Sequence, residues 1–172
     1  MKRLSFLAAI LAGIITISMT WMSPDHSTGG RTLPNVVLKR LNGETVNIQE
    51  YGNNGKITVI SFWASWCAPC KRELDAVAEL YPEWQEKFNV EVLAVTVDNA
   101  RALAKVRPII EQKGWTFEIL SDANQELQQA LNFQAIPQTY VVDKTGEIVY
   151  EHSGYQPGDE YELEEVIAGL EK

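Results

Sequence analysis

The sequence predicts an α/β fold, a three-layer sandwich in which a mixed central β-sheet carries helices on both faces. Three observations lead there. Between residues 57 and 131, β-prone apolar runs alternate with stretches of helical periodicity, the pattern of strands joined by crossover helices. The first of those runs, Ile57 to Trp63 (ITVISFW), is apolar almost throughout, as a strand covered on both sides must be. Hairpin signals stand at the two ends, Asn42-Gly43 early and Lys144-Thr145-Gly146 late. The sheet is therefore expected to be mainly parallel, with antiparallel pieces added at both ends.

Taken in order, the chain opens with a basic start, Lys2-Arg3, followed by Leu4 to Met22 without a charged residue. That run is long for a signal-peptide core and just long enough to span a membrane. No Ala-x-Ala-like cleavage site stands after it, and no cysteine ends it for a lipid to be attached. Residues 1–22 are a signal peptide or an N-terminal membrane anchor, and both readings export the remainder of the chain. Residues 23–32 (SPDHSTGGRT) read as a polar tether, and residues 33–172 as the folded domain.

Within the domain, Val36-Val37-Leu38 and Val46 to Ile48 flank Asn42-Gly43 as a hairpin, and Asn53-Asn54-Gly55 is a turn. After the Ile57–Trp63 strand, Leu74, Val77, Ala78, Leu80 and Tyr81 recur at helical spacing. Pro82 should end or kink that helix before the pattern resumes at Trp84 and Phe88. Val90 to Val97 is the next strand, and Arg101 to Lys113 a helix with an awkward Pro108, closed by Gly114. Phe117 to Leu120 then forms a strand, Gln125 to Leu131 a short helix, Thr139 to Val142 a strand and Ile148 to Tyr150 its hairpin partner. Asp159, with Glu162 three residues on, suits the cap of a last helix ending near Leu170.

Composition limits the partners. Net charge is −8, and Lys2 and Arg3 belong to the export segment, so the domain is more acidic still. Phosphates attract lysine and arginine, which argues against nucleic acid as a partner. The two cysteines fall in one Cys-x-x-Cys, too few and too close together for a stabilising framework. They are chemistry, and export places them where disulfides persist.

Context decides which chemistry. Cys67 comes directly after the apolar strand and Cys70 begins the helix, so the two share a face of its first turn at about the 5.5–6 Å between Cα atoms that a disulfide requires. At the helix N-terminus, free N–H groups and the macrodipole favour a Cys67 thiolate. Cys70, one turn in, is shielded; Cys67 exchanges with substrate and Cys70 resolves the mixed disulfide. Pro69 fits the first turn, where its missing N–H costs nothing. A metal site would need further ligands, and the only histidines are His26, in the tether, and His152, read as an ordinary strand-end surface residue. No metal and no cofactor beyond the Cys67–Cys70 disulfide are expected.

The run Phe62-Trp63-Ala64-Ser65-Trp66-Cys67-Ala68-Pro69-Cys70 resembles the active-site signature of the thioredoxin superfamily. From about Leu33 to Leu170 the chain resembles the exported TlpA/ResA-like branch, with its N-terminal hairpin and an inserted helix–strand unit, here Arg101 to Leu120. The resemblance implies a thioredoxin-like fold and a cis-proline facing the cysteines, which Ile136-Pro137-Gln138-Thr139 matches. It implies that the Ile136 backbone pairs with an extended substrate segment. Trp66, Ala68, Pro69, Ile136 and Pro137 are then the substrate-binding residues, with Trp66 on an apolar rim and Trp63 in the core. Thioredoxins carry an acid six residues before the first cysteine, where this chain has Ser61. The branch often places a Glu three residues after the second cysteine, and Glu73 stands there to relay the proton of Cys70, with a favourable first-turn acid as its other reading.

The resemblance also implies the partners. These are protein thiols and disulfides, oxidised apocytochrome c among them, and a membrane electron donor for re-reduction. Ala68-Pro69 puts no charge between the cysteines, which favours a reductase. A disulfide-forming oxidant on the same scaffold is the first alternative. A thiol peroxidase would place Thr where Ala64 stands, and a non-catalytic binding module would not need the intact Cys67, Pro69, Cys70 and Pro137.

Overall fold

In a computed structural model that describes residues 30–171, the Asn42-Gly43 turn joins β1 (Val37–Arg40) to β2 (Thr45–Asn47), with Gly43 at φ 93°. The export segment at 1–22 and most of the tether lie outside the described residues. Among the described residues no helix is long and apolar enough to cross a membrane. Gly30 to Thr32, the end of the expected tether, run beside the late hairpin: the Arg31 carbonyl accepts the Ile148 N–H at 2.7 Å, and its guanidinium meets Glu151 at 2.9 Å.

A short 3₁₀ turn at Ile48–Gly52 leads to β3 (Ile57–Trp63), buried at every residue. Next come α1 (Ala68–Phe88), β4 (Val90–Thr96), α2 (Val106–Lys113), β5 (Glu118–Ser121), α3 (Glu126–Leu131), β6 (Gln138–Val142), β7 (Ile148–Ser153) and α4 (Asp159–Gly169). The sheet order is β2-β1-β5-β4-β3-β6-β7. β3, β4 and β5 are parallel; β6 is antiparallel to β3, β7 to β6, and β1 to both β5 and β2. The sheet is thus mixed, and the parallel part is confined to three strands. The helix before the reversed strand is short: the six residues of α3 advance about 9 Å, against about 23 Å for the seven-residue β3.

The face of β3 carrying Val59, Ser61 and Trp63 lies under α1. Trp63 meets Trp115 edge-on at 5.1 Å, and the Trp115 indole N–H donates to Asp75 of α1 at 3.0 Å. Leu74 and Val77 of α1 are buried here, each contributing roughly 1.5–3 kcal/mol through apolar burial. On the opposite face Phe62, Tyr140 and Phe133 cluster, with Phe62 and Phe133 centroids 4.5 Å apart, next to the buried Leu127 and Leu131 of α3. The hairpin docks on the inserted strand: Arg40 pairs with Leu120 in register, and its guanidinium binds Glu118 at 2.7 Å.

Two prolines sit where the helices accommodate them. α1 continues through Pro82, which lies on the exposed side where water can serve the carbonyl it leaves without a donor, while buried Tyr81 and Trp84 hold the helix on either side. The expected Arg101–Lys113 helix divides into a 3₁₀ turn at Ala102–Lys105 and α2, so Pro108 falls in the first turn of α2. The late hairpin turn needs its glycine: a Cβ on Gly146, at φ 89°, would stand 2.5 Å from the Gly52 carbonyl oxygen.

Candidate active site

The end of β3 turns sharply, with the Cys67 N–H donating to the Ala64 carbonyl at 3.0 Å, and Cys67 becomes the N-cap of α1 in extended conformation. Its Sγ accepts the Cys70 N–H at 3.3 Å. Pro69 occupies the first turn, as its lost donor permits. Cys67 and Cys70 form a disulfide with Cα atoms 5.4 Å apart, Cys67 5% exposed and Cys70 fully covered. The outer sulfur thus lies at the helix N-terminus against one backbone N–H, that of Cys70, and the inner one is sealed.

The loop before the disulfide is held by a residue that sequence reasoning missed. Asp98, 1% exposed, accepts the Ser65 N–H at 2.7 Å, the Ser65 hydroxyl at 2.9 Å and the Thr96 hydroxyl at 2.8 Å. The Lys71 ammonium, assigned no role from sequence, donates to the Ser65 carbonyl at 3.0 Å. The available signal was an acid ending the apolar run Val90 to Val97.

Gln138 pairs with Phe62, which sets the cis Ile136–Pro137 bond at the end of the sheet where β3 runs toward Cys67. Trp66 is 69% exposed and Ala68 exposed; Pro69 and Ile136 are half-buried, and Pro137 is buried. Trp63 lies wholly in the core.

Glu73 is 5% exposed. The Ser61 hydroxyl donates to Oε2 at 3.1 Å and the Thr139 hydroxyl to Oε1 at 2.6 Å. Ser61, standing where thioredoxins carry an acid, thus serves the acid that α1 supplies from above. Burial pushes the Glu73 carboxyl up to about 7, against the pull of the two hydroxyls and His152, with Asp159 adding to the rise. Near neutrality the group can both hold and release a proton, and helical spacing from Cys70 places it one turn along the same face.

Two expectations need correction. His152 is half-buried, stacked on Tyr150 at 6.3 Å, with Nε2 3.2 Å from Asp159 Oδ2. It faces inward because it lies opposite Thr139 in the β6–β7 register. Asp159 does not cap α4: Gly158 is the N-cap, and the Asp159 carboxylate instead accepts the Gln156 N–H at 2.7 Å and meets the imidazole. Among the described residues no cluster of three or more His, Cys, Asp and Glu is placed to hold a metal.

Residues 30–151 match the model of the AhpC/TSA family. The thiol-disulfide oxidoreductase ResA of Geobacillus kaustophilus is 34% identical over 148 residues, covering 85% of this chain and 82% of the relative. A solution structure of an uncharacterized thioredoxin-like protein from Porphyromonas gingivalis is 41% identical with a TM-score of 0.72, covering 81% of this chain and 91% of that one. A crystal structure of a putative thiol:disulfide interchange protein DsbE from Chlorobium tepidum, 22% identical with a TM-score of 0.74, covers 83% of this chain and 97% of its own and speaks to the fold alone.

Proposed function

The chain belongs to the AhpC/TSA family and is a thiol–disulfide oxidoreductase of thioredoxin-like fold; from that premise we propose that it works outside the cytoplasm, reducing disulfides of exported proteins. The observation that carries the direction is the pair between the cysteines. Ala68 and Pro69 bring no charge, so no side chain between the cysteines adds to what the Cys70 N–H and the helix N-terminus do for a Cys67 thiolate, and the reduced form stays a good electron donor. Export rests on Lys2-Arg3 and the uncharged run from Leu4 to Met22, which delivers the domain to the far side of the membrane as a cleaved or anchored form.

The Cys67 thiolate attacks one sulfur of the substrate disulfide, and the other leaves as a thiolate. Cys70 gives its proton to Glu73 and attacks Cys67 Sγ, closing the Cys67–Cys70 bond and releasing the second substrate thiol. The two electrons lost by the pair are restored by a membrane donor. Trp66, Ala68, Pro69, Ile136 and Pro137 form the surface on which an extended substrate segment lies, its backbone meeting that of Ile136. Oxidised apocytochrome c fits this description as a substrate, since its haem-attachment cysteines are a disulfide in an exported chain. The peroxidase alternative is disfavoured by Ala64, three residues before Cys67.

The test is the reduction potential of the Cys67–Cys70 pair in a thiol–disulfide redox buffer. A value near or below roughly −200 mV supports a reductase, and one near roughly −120 mV makes the protein an oxidant that installs disulfides.

A further inference from the structure

Glu73 has an exit problem. A carboxyl that takes a proton from Cys70 in every turnover must lose it in every turnover, yet Glu73 is 5% exposed and both its oxygens are engaged by hydroxyls. Those hydroxyls belong to a row. Ser61 on β3 pairs with Thr139 on β6, and Thr139 pairs with His152 on β7. Directly opposed residues of antiparallel strands stand on one face with Cβ atoms about 4.5–5.5 Å apart. The row therefore leads from beneath Glu73 to the outermost strand on that side of the sheet and ends on an imidazole. Glu73, Thr139, His152, Tyr155 and Asp159 line one narrow cleft between the sheet and the start of α4.

The other ionisable groups facing this cleft are occupied. The Tyr150 hydroxyl donates to Glu162 at 3.1 Å and the Tyr155 hydroxyl to Glu160 at 3.0 Å. Burial, helped by those carboxylates, pushes both phenols up to about 12, so neither exchanges a proton near neutrality. Histidine is the side chain suited to that task, and Asp159 orients this one through Nε2 at 3.2 Å.

We propose that His152, held by Asp159, is the relay through which Glu73 exchanges its proton with solvent. The inference rests on the reading of Glu73 as the acceptor of the Cys70 proton. In the resolving step Cys70 passes its proton to the Glu73 carboxylate and its thiolate attacks Cys67 Sγ. The Cys67–substrate bond breaks, the Cys67–Cys70 bond forms, and the departing substrate thiolate takes a proton from water. Glu73 then hands its proton across the cleft to the imidazole, and the imidazolium releases it to solvent. No electrons pass through either group. His152 touches neither sulfur, so it is a positioning residue that acts through Glu73.

The test follows steady-state reduction of insulin disulfides by the full chain, kept reduced by excess dithiothreitol so that Glu73 must cycle repeatedly, from about pH 5 to 9 in the native protein and in His152→Gln and Glu73→Gln. His152→Gln is expected to slow turnover roughly tenfold near neutrality and flatten its pH profile, and added imidazole should restore the rate. A native rate and profile in His152→Gln overturns the relay, and so does a slow rate that imidazole leaves untouched. Should His152→Gln fold poorly, Asp159→Asn carries the same expectation of a flattened profile, and a native profile there overturns the proposal. Glu73→Gln separates the two readings. If it is slow while His152→Gln is native, only the relay has failed; if it too behaves as native, the acceptor role of Glu73 has failed and the relay with it.

Discussion

Replacing Glu73 with Gln should stabilise the protein in mild alkali and leave it nearly unchanged in acid. Burial raises the Glu73 carboxyl from 4.5 to about 7 in the folded state. Between those values the native protein keeps a proton that the unfolded chain has already released, so native stability falls as pH rises through the window and levels off above it. At about 1.4 kcal/mol per pH unit, the interval amounts to about 3 kcal/mol by pH 8. Gln has the same shape and no charge to bury; its amide can accept from one of the two hydroxyls and donate to the other. The variant should therefore match the native protein near pH 4.5 and exceed it by about 3 kcal/mol at pH 8. Asp122, also raised by burial, contributes equally to both proteins and cancels in the difference. The assay is urea unfolding of the oxidised proteins at fixed ionic strength, followed by tryptophan fluorescence at a series of pH values. Parallel stability–pH curves would refute the reasoning, because they would mean that Glu73 carries its charge in the fold at no cost.

Three further outcomes are expected. Cys70→Ser should leave Cys67 unable to resolve its mixed disulfide, so covalent adducts with protein substrates should accumulate on non-reducing gels; free monomer alone would count against the division of roles. Asp98→Ala strands the Ser65 N–H and the hydroxyls of Ser65 and Thr96, and should lower stability by about 1–3 kcal/mol in denaturant titration; a midpoint equal to the native one would show that another group holds the loop. Trp66→Ala, at a position 69% exposed, should shift stability by no more than about 0.5 kcal/mol yet raise KM for a protein disulfide, and an unchanged KM would remove Trp66 from the substrate surface.

The parts of this protein legible in its sequence are those written locally. The apolar run Ile57 to Trp63, the cysteine spacing, the glycine turns and the helical recurrence from Leu74 onward each depend on a few consecutive residues, and each appears where expected. What was not legible depends on register. Ser61 and Thr139 are 78 residues apart and meet only because β6 lies antiparallel beside β3; nothing local marks either as a partner of Glu73. His152 read as a surface residue for the same reason, since its inward face comes from sitting opposite Thr139. Asp159 shows the limit of local rules in the other direction. It satisfies the pattern of a helix cap, and a tertiary contact with the imidazole claims it one residue inside the helix. The reversal of β6 belongs with these: α3 is legible as a short helix at nearly its observed bounds, but which strand β6 lies beside, and in which direction, is set by tertiary pairing.

The placement of the N-terminal hairpin bears on how the protein avoids its own kind. β1 covers the side of β5 that β4 leaves open, and Gly30 to Thr32 lie along the start of β7 at the other margin. Without residues 30–56 the core sheet would present bare N–H and C=O groups on β5, a template on which a second copy could add its own strand. Such a shortened chain would retain the disulfide, Glu73 and the α1 packing, and would be prone to aggregate all the same. Protection of that sheet edge is therefore encoded partly upstream of the chemistry, in a segment that contributes no atom to the site.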